Sequence, residues 1–141
     1  MLKIDEKDHK ILNILRDNSR LSIREISKKT KIRPSTIHIR LQKLIKNNII
    51  DKFTLKLNNK AIGENFIVFM LISAGKHIDK KAFSNKCIKE VFGITGEYDL
   101  IMKLKFKDVE EFNDFVIKFR EQNQLTKTLT MVATINIKEE L

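Results

Sequence analysis

The chain has 141 residues, 42% hydrophobic and 33% charged, with 28 Lys+Arg against 18 Asp+Glu and a net charge of +10. That mix excludes a disordered or fibrous chain and leaves room for one ordinary domain or two small ones. The single cysteine, Cys87, excludes an intramolecular disulfide framework. The residues Met1 to Glu6 lack a signal peptide's apolar stretch, and the run Phe66 to Ala74 is too short for a bilayer, so a soluble cytoplasmic protein is expected.

The charge is unevenly placed. Residues 1–60 hold 16 Lys+Arg and 6 Asp+Glu, whereas residues 61–141 hold 12 of each. Aromatics divide the other way, with Phe53 alone before residue 61 and nine after it. The first part therefore looks suited to a polyanion and the second to a buried core. A solvated lysine-rich surface is the plainer alternative.

In chain order, Asp5 caps a first helix that carries Ile4, Ile11, Leu12 and Leu15 on one side. Ser22 and Glu25 form a capping box for a short second helix, with Ile23 and Ile26 inward and an end near Thr30. Lys31 to Arg33 is the turn. Pro34 opens a third helix, Pro34 to Lys46, at the position where a missing N–H costs little. Ile37, Leu41 and Leu44 mark its buried stripe. At about 100° per residue, Ser35, Ile39, Gln42, Lys43 and Lys46 fall on the opposite face. An isoleucine central to an exposed polar face suits a thymine methyl in a major groove, while its neighbours reach base edges or phosphates. A helix-turn-helix that binds double-stranded DNA follows, with this third helix as the reader.

Alternation from Ile50 to Leu57 predicts a strand or a short wing-like hairpin, with Phe53, Leu55 and Leu57 on one face. Lys60 to Asn65 reads as a linker, and the expected domains are 1–60 and 61–141. Beyond it come a strand from Phe66 to Ala74 and a helix from about Asp79 to Glu90, with Phe83, Cys87, Ile88 and Val91 inward. A short strand from Val91 to Thr95, a strand from Tyr98 to Phe106, a helix capped by Asp108 and a last strand from Thr126 to Ile137 complete the order. This β-α-β-β-α-β order is the ferredoxin-like arrangement, so the fold class is α+β. Helices on one sheet face leave the other apolar face to be covered, which predicts dimers through the second part.

Several strings then resemble the Lrp/AsnC, or feast/famine, family of bacterial and archaeal regulators over nearly the whole chain. They are Asp5-x-x-Asp8-x-x-Ile11-Leu12, Asn18-Ser19-Arg20, Ile26-Ser27, Ser35-Thr36-Ile37-x-x-Arg40-Leu41-x-x-Leu44, Asn48-Ile49-Ile50, and VFGITGEYD from Val91 to Asp99. The resemblance implies a winged helix-turn-helix joined to a ferredoxin-like (RAM-type) domain that dimerises, assembles up to octamers, and binds a small effector, usually an amino acid. It also implies that Thr95, Gly96, Tyr98 and Asp99 lie at the effector site. Three positions depart from the family pattern. Lys31 replaces the turn glycine, Arg33 the serine cap of the third helix, and Ile39 a basic or polar residue.

The candidate DNA-binding residues are Ser22, Arg33, Ser35, Thr36, His38, Ile39, Arg40, Gln42, Lys43 and Lys46. Arg40, lying to the side of the reading face, is expected to meet a phosphate or to position the helix. Ser35 and Thr36 at the helix N-terminus suit a phosphate or simple capping. Gly96 and Asp99 also suit a plain structural turn. His9, His38 and His77 lack ligand-like spacing and Cys87 reads as a small buried hydrophobe, so no metal or cofactor is expected. The function read from this is a sequence-specific transcription regulator rather than an enzyme. The alternatives are a siroheme decarboxylase-like enzyme of the same architecture, or a chromatin-like DNA-binding protein of low specificity.

Overall fold

The computed structural model describes residues 3–74 and 78–140, and the chain divides into two compact units, Met1–Leu55 and Lys56–Leu141. His77 lies outside the described residues.

The first unit holds three helices, α1 (Glu6–Asp17), α2 (Ile23–Thr30) and α3 (Pro34–Lys46). Two capping boxes set their entry points. In α1 the Asp8 N–H donates to Asp5 Oδ1 at 3.0 Å while the Asp5 N–H donates to Asp8 Oδ2 at 3.1 Å. In α2 the Ser22 N–H donates to Glu25 Oε2 at 2.7 Å, and the Glu25 N–H returns to Ser22 Oγ at 3.3 Å. Each box satisfies N–H groups that a helix start leaves bare. The apolar stripes then meet in a core of Ile11, Leu15, Ile26, Ile32 and Ile37, with Leu41 packed against it. Ile37 is completely buried, and truncating such a side chain to alanine costs about 2–5 kcal/mol.

The second unit is a four-stranded antiparallel sheet in the order β2-β3-β1-β4, formed by β1 (Phe66–Ser73), β2 (Ile88–Gly93), β3 (Leu100–Phe106) and β4 (Lys127–Val132). One helix, α4 (Val109–Asn123), covers one face, capped by the Glu111 N–H on Asp108 Oδ1 at 3.0 Å. Val68, Met70, Ile72, Met102, Leu104 and Phe106 point to that side and are buried against Phe112 and Phe119. The opposite face carries Phe69, Leu71, Ile101, Phe92, Leu129 and Met131 as cross-strand neighbours, with Phe92, Leu129 and Met131 exposed.

Three expectations are corrected. Residues 51–57 form neither strand nor hairpin, and Phe53, Leu55 and Leu57 are exposed. Alternation gives a strand two faces but no neighbour for its N–H and C=O groups, and among the described residues none is supplied. The helix expected over Asp79 to Glu90 is a single 3-10 turn, Lys80–Phe83, capped by Asp79. Asn85 ends it: its side chain accepts the Cys87 N–H at 3.1 Å and its carbonyl the Ile88 N–H at 3.0 Å, a local turn that displaces further helix. Strand β2 therefore starts at Ile88. An irregularity between Ile88 and Glu90 puts Ile88 and Val91 on the same side, so a spacing of three mimicked a helix. The last strand ends at Val132, leaving Ile135 and Ile137 exposed beyond it.

Candidate functional site

The reading helix α3 presents two unlike faces. Ile37 and Leu44 are buried, whereas Ser35, His38, Gln42, Lys43 and Lys46 are exposed and Thr36 is half-buried. Ile39 is 64% exposed in the middle of the outer face. That exposure of a large apolar side chain is what direct reading of a thymine methyl requires. Arg33 stands at the N-cap without any side-chain capping bond, so its guanidinium leaves the first N–H groups of α3 bare, and Pro34 occupies the next position. Bare N–H groups at a helix start favour an anion, and phosphate is the anion DNA offers.

Two of the sequence candidates are otherwise engaged. The Ser22 hydroxyl donates to Glu25 Oε2 at 2.6 Å, inside the α2 capping box. Arg40 turns away from the outer face: its Nη1 donates to Asp5 Oδ1 at 2.7 Å, to Asp5 Oδ2 at 2.8 Å and to Asp8 Oδ1 at 2.8 Å. The hydrogen bond from Arg40, followed by the backbone N–H of Asp8, holds the Asp5 carboxyl down at about 2. Asp8 and then Asp5 push the guanidinium of Arg40 above its ordinary value. Asp5 and Asp8 were legible as caps of α1 but not as partners of Arg40, because 35 and 32 residues separate them from it.

The turn into α3 contains a strained residue. Lys31 has φ 62° and ψ 18°, in the left-handed region, and its N–H closes on the Ser27 carbonyl at 2.9 Å. The Ser27 hydroxyl donates to the Ile32 carbonyl at 2.6 Å, and the Ile32 N–H to Thr30 Oγ1 at 3.2 Å, which hold this conformation in place.

In the second unit, Thr95, Gly96, Tyr98 and Asp99 lie together in the corner between β2 and β3. Gly96 has φ +120°, a conformation that any Cβ would strain. The Asp99 backbone pins the corner, with its N–H on the Ile72 carbonyl and its carbonyl taking the Ile94 N–H, both at 2.9 Å. Its Oδ2 accepts the Ala74 N–H at 2.8 Å and the Ser73 hydroxyl at 3.4 Å. Glu97 pairs with Lys127, whose ammonium lies 5.1 Å from the centre of the Tyr98 ring. Thr95 is exposed and Tyr98 half-buried. Two cavities, of about 330 Å³ beside Asn59 and Glu139 and about 510 Å³ between α4 and Lys81 to Cys87, are lined by other residues.

Among the described residues, no helix is long and apolar enough to cross a membrane, and no cluster of three His, Cys, Asp or Glu stands ready for a metal ion.

Comparison with known proteins places these features in a family. Residues 4–51 match the family described as winged helix-turn-helix DNA-binding, and residues 68–141 the Lrp/AsnC ligand binding domain. HTH-type transcriptional regulator FL11 of Pyrococcus furiosus is 37% identical over 133 residues, 92% of this chain and 88% of its own. An uncharacterized HTH-type transcriptional regulator of Pyrococcus abyssi is 39% identical over 141 residues, 97% of this chain and 96% of its own. B. subtilis LrpC shares the fold at a TM-score of 0.84 and 26% identity, over 99% of this chain and 100% of that one. A transcriptional regulator of Neisseria meningitidis in complex with L-Met superposes at 0.88 with 23% identity, over 98% and 94% of the two chains. The chain belongs to the Lrp/AsnC family and is a DNA-binding transcriptional regulator, not an enzyme.

Proposed function

We propose that this regulator reads duplex DNA in the cytoplasm with the outer face of α3, as a homodimer or a larger assembly up to the octamer, under control of an amino acid bound at the corner Thr95 to Asp99. Ile39 meets a thymine methyl, Gln42 and Lys43 reach base edges, and Lys46, Arg33, Ser35, Thr36 and His38 serve the phosphates and the groove rim. The observation that carries this reading is the exposed Ile39 amid polar side chains, on a helix whose other side is buried, in the part of the chain that holds the whole charge excess.

The sheet face on which the exposed Phe92, Leu129 and Met131 neighbour the half-buried Phe69 and Leu71 supports pairing with a second copy, since exposed apolar surface favours association. At the corner, the Asp99 carboxylate suits an effector's ammonium group and backbone N–H groups its carboxylate. The Neisseria regulator of the same fold binds L-methionine, which supports an amino acid as effector.

The test is selection of genomic fragments by the purified protein, repeated with each amino acid, followed by salt titration of the binding constant. We expect a steep negative salt slope, a selected-to-random affinity ratio on the order of a thousand, and a shift of that affinity with one amino acid. Ile39→Lys should re-rank the selected sites more than it changes overall affinity. A flat salt slope overturns DNA binding. A ratio near one would instead favour non-specific packaging.

A further inference from the structure

We infer that Arg40 is a positioning residue of the reading helix, locked to the first turn of α1 and not in contact with DNA. The inference rests on α3 as the DNA reader. Arg40 sits next to Ile39 and two residues before Gln42, yet its side chain is only 23% exposed and one nitrogen serves both carboxylates. Asp8, whose side chain is 9% exposed, and Asp5 are the same groups that cap α1 reciprocally. Two acids therefore start one helix and tie down another. A phosphate would have to displace two carboxylates at 2.7–2.8 Å to claim Nη1, and elsewhere on the guanidinium it would meet a charge those carboxylates already offset. The Arg40 Nε is buried without a hydrogen-bond partner among the described residues, which shows that the side chain is packed inward rather than held out for a ligand.

The geometric consequence concerns rotation. Around α3 each residue steps about 100°, so fixing Arg40 on α1 fixes the direction in which Ile39, Gln42 and Lys43 point. The N-cap of α3 has no side-chain bond to do this, because the guanidinium of Arg33 offers no oxygen to accept from the helix N–H groups. Base reading needs side chains aimed within a fraction of an ångström, whereas phosphate attraction tolerates rotation. Loss of the lock should therefore remove discrimination and leave non-specific affinity in place.

The experiment uses the full chain with Arg40→Lys, Arg40→Gln, Asp5→Asn and Asp8→Asn, each checked by circular dichroism to be folded at the assay temperature. Affinity is measured for a selected site and for a random duplex across a range of salt. Lysine keeps the charge but ends one bond short of the Arg40 Nη1 position, so a phosphate contact on a mobile backbone would tolerate it and the fixed pair of carboxylates would not. We expect Arg40→Lys and Asp5→Asn each to lower the selected-to-random ratio by about tenfold or more, the scale of one lost base-pair contact. Random-duplex affinity should stay within about twofold for Arg40→Lys, and Arg40→Gln should leave the salt slope unchanged, where a lost phosphate contact would reduce it by about 0.9. The inference is overturned if Arg40→Gln lowers the slope by that amount, or if folded Asp5→Asn and Asp8→Asn keep the full ratio. Should Arg40→Gln not fold, Asp5→Asn decides alone, since the Asp5 side chain is 53% exposed and its substitution buries nothing. Failure of the parent reading is separately visible: the unsubstituted protein would then show a flat slope or no selected site.

Discussion

Asp99 and Ala74 are joined across the end of the sheet, the Ala74 N–H donating to Asp99 Oδ2 at 2.8 Å. The carboxylate at the centre of the proposed effector corner is thus also the group that secures the chain as it leaves β1. Asparagine and alanine should separate the two roles. Asp99→Asn keeps an acceptor and should change stability by less than about 0.5 kcal/mol, whereas Asp99→Ala should cost about 1 kcal/mol. Asp99→Asn should nonetheless abolish binding of the amino acid identified by fragment selection, because an ammonium group needs the charge. Thermal unfolding and calorimetric titration read the two effects, and unimpaired binding by the asparagine variant would place the effector elsewhere.

Lys31 holds a left-handed conformation that costs an ordinary residue about 1–2 kcal/mol. Lys31→Gly relieves that strain and adds back some unfolded-state entropy, so a net gain of about 1 kcal/mol is expected. The urea midpoint should rise with an unchanged m-value. A lower midpoint would mean that the lysine side chain makes a compensating contribution.

Glu139 reaches Lys103 at 2.6 Å and Lys105 at 2.8 Å, and Asn59 donates to its other oxygen at 2.8 Å. Burial alone would raise its carboxyl, but the bonds from Lys103, Lys105 and Asn59 outweigh burial and hold it well below its ordinary 4.5. A carboxyl depressed in the folded state contributes stability fully above its unfolded value, and that contribution drains away as pH falls below about 4.5. Glu139→Gln should therefore lower stability at pH 7 by about 2 kcal/mol and flatten the acid limb of the stability profile. Denaturant unfolding at a series of pH values checks it. Parallel acid limbs in the two proteins would show that the network contributes nothing.

Burial pushes the Cys87 thiol up to about 11. At pH 8 the folded protein should react with a thiol-specific reagent about a hundredfold more slowly than the unfolded chain, since only the thiolate attacks. Equal rates would mark Cys87 as open to solvent.

The helical units were legible because each carries its own evidence. Ser22 with Glu25 announces a start, and Ile37, Leu41 and Leu44 announce a buried side within a few residues of one another. β1 and β3 were equally plain, since their even-numbered residues face α4 and their odd-numbered residues the open side. Misreadings fell where a local pattern admitted two structures. Ile88 and Val91 fit a helix and an irregular strand alike, and the Asn85 turn decided between them. Phe53, Leu55 and Leu57 had the period of a strand, yet period says nothing about a pairing neighbour. At the candidate sites, the outer face of α3 followed from helical geometry alone, whereas the engagement of Arg40 did not.

Sequence by itself determined the separation of charge, the capping of α1 and α2, the two faces of α3 around Ile39, and the string at Thr95 to Asp99 that resembles a known family. Those are properties of neighbours in the chain, set by rotation per residue, side-chain type and short-range hydrogen bonding. Only the tertiary structure decided that Arg40 spends its charge on Asp5 and Asp8, that Glu139 gathers Lys103, Lys105 and Asn59, and that Asp99 holds Ala74. Charged groups find partners by distance in space, and the folded chain brings the carboxylates of Asp5, Asp8 and Glu139 to cations that lie 32 to 36 residues away in sequence. The exposed Ile39 and the oxygen-free cap residue Arg33 could be read from helix position and side-chain type. The lock beneath them, which aims the reading face, exists only because the fold brings the start of α1 to Arg40 on α3.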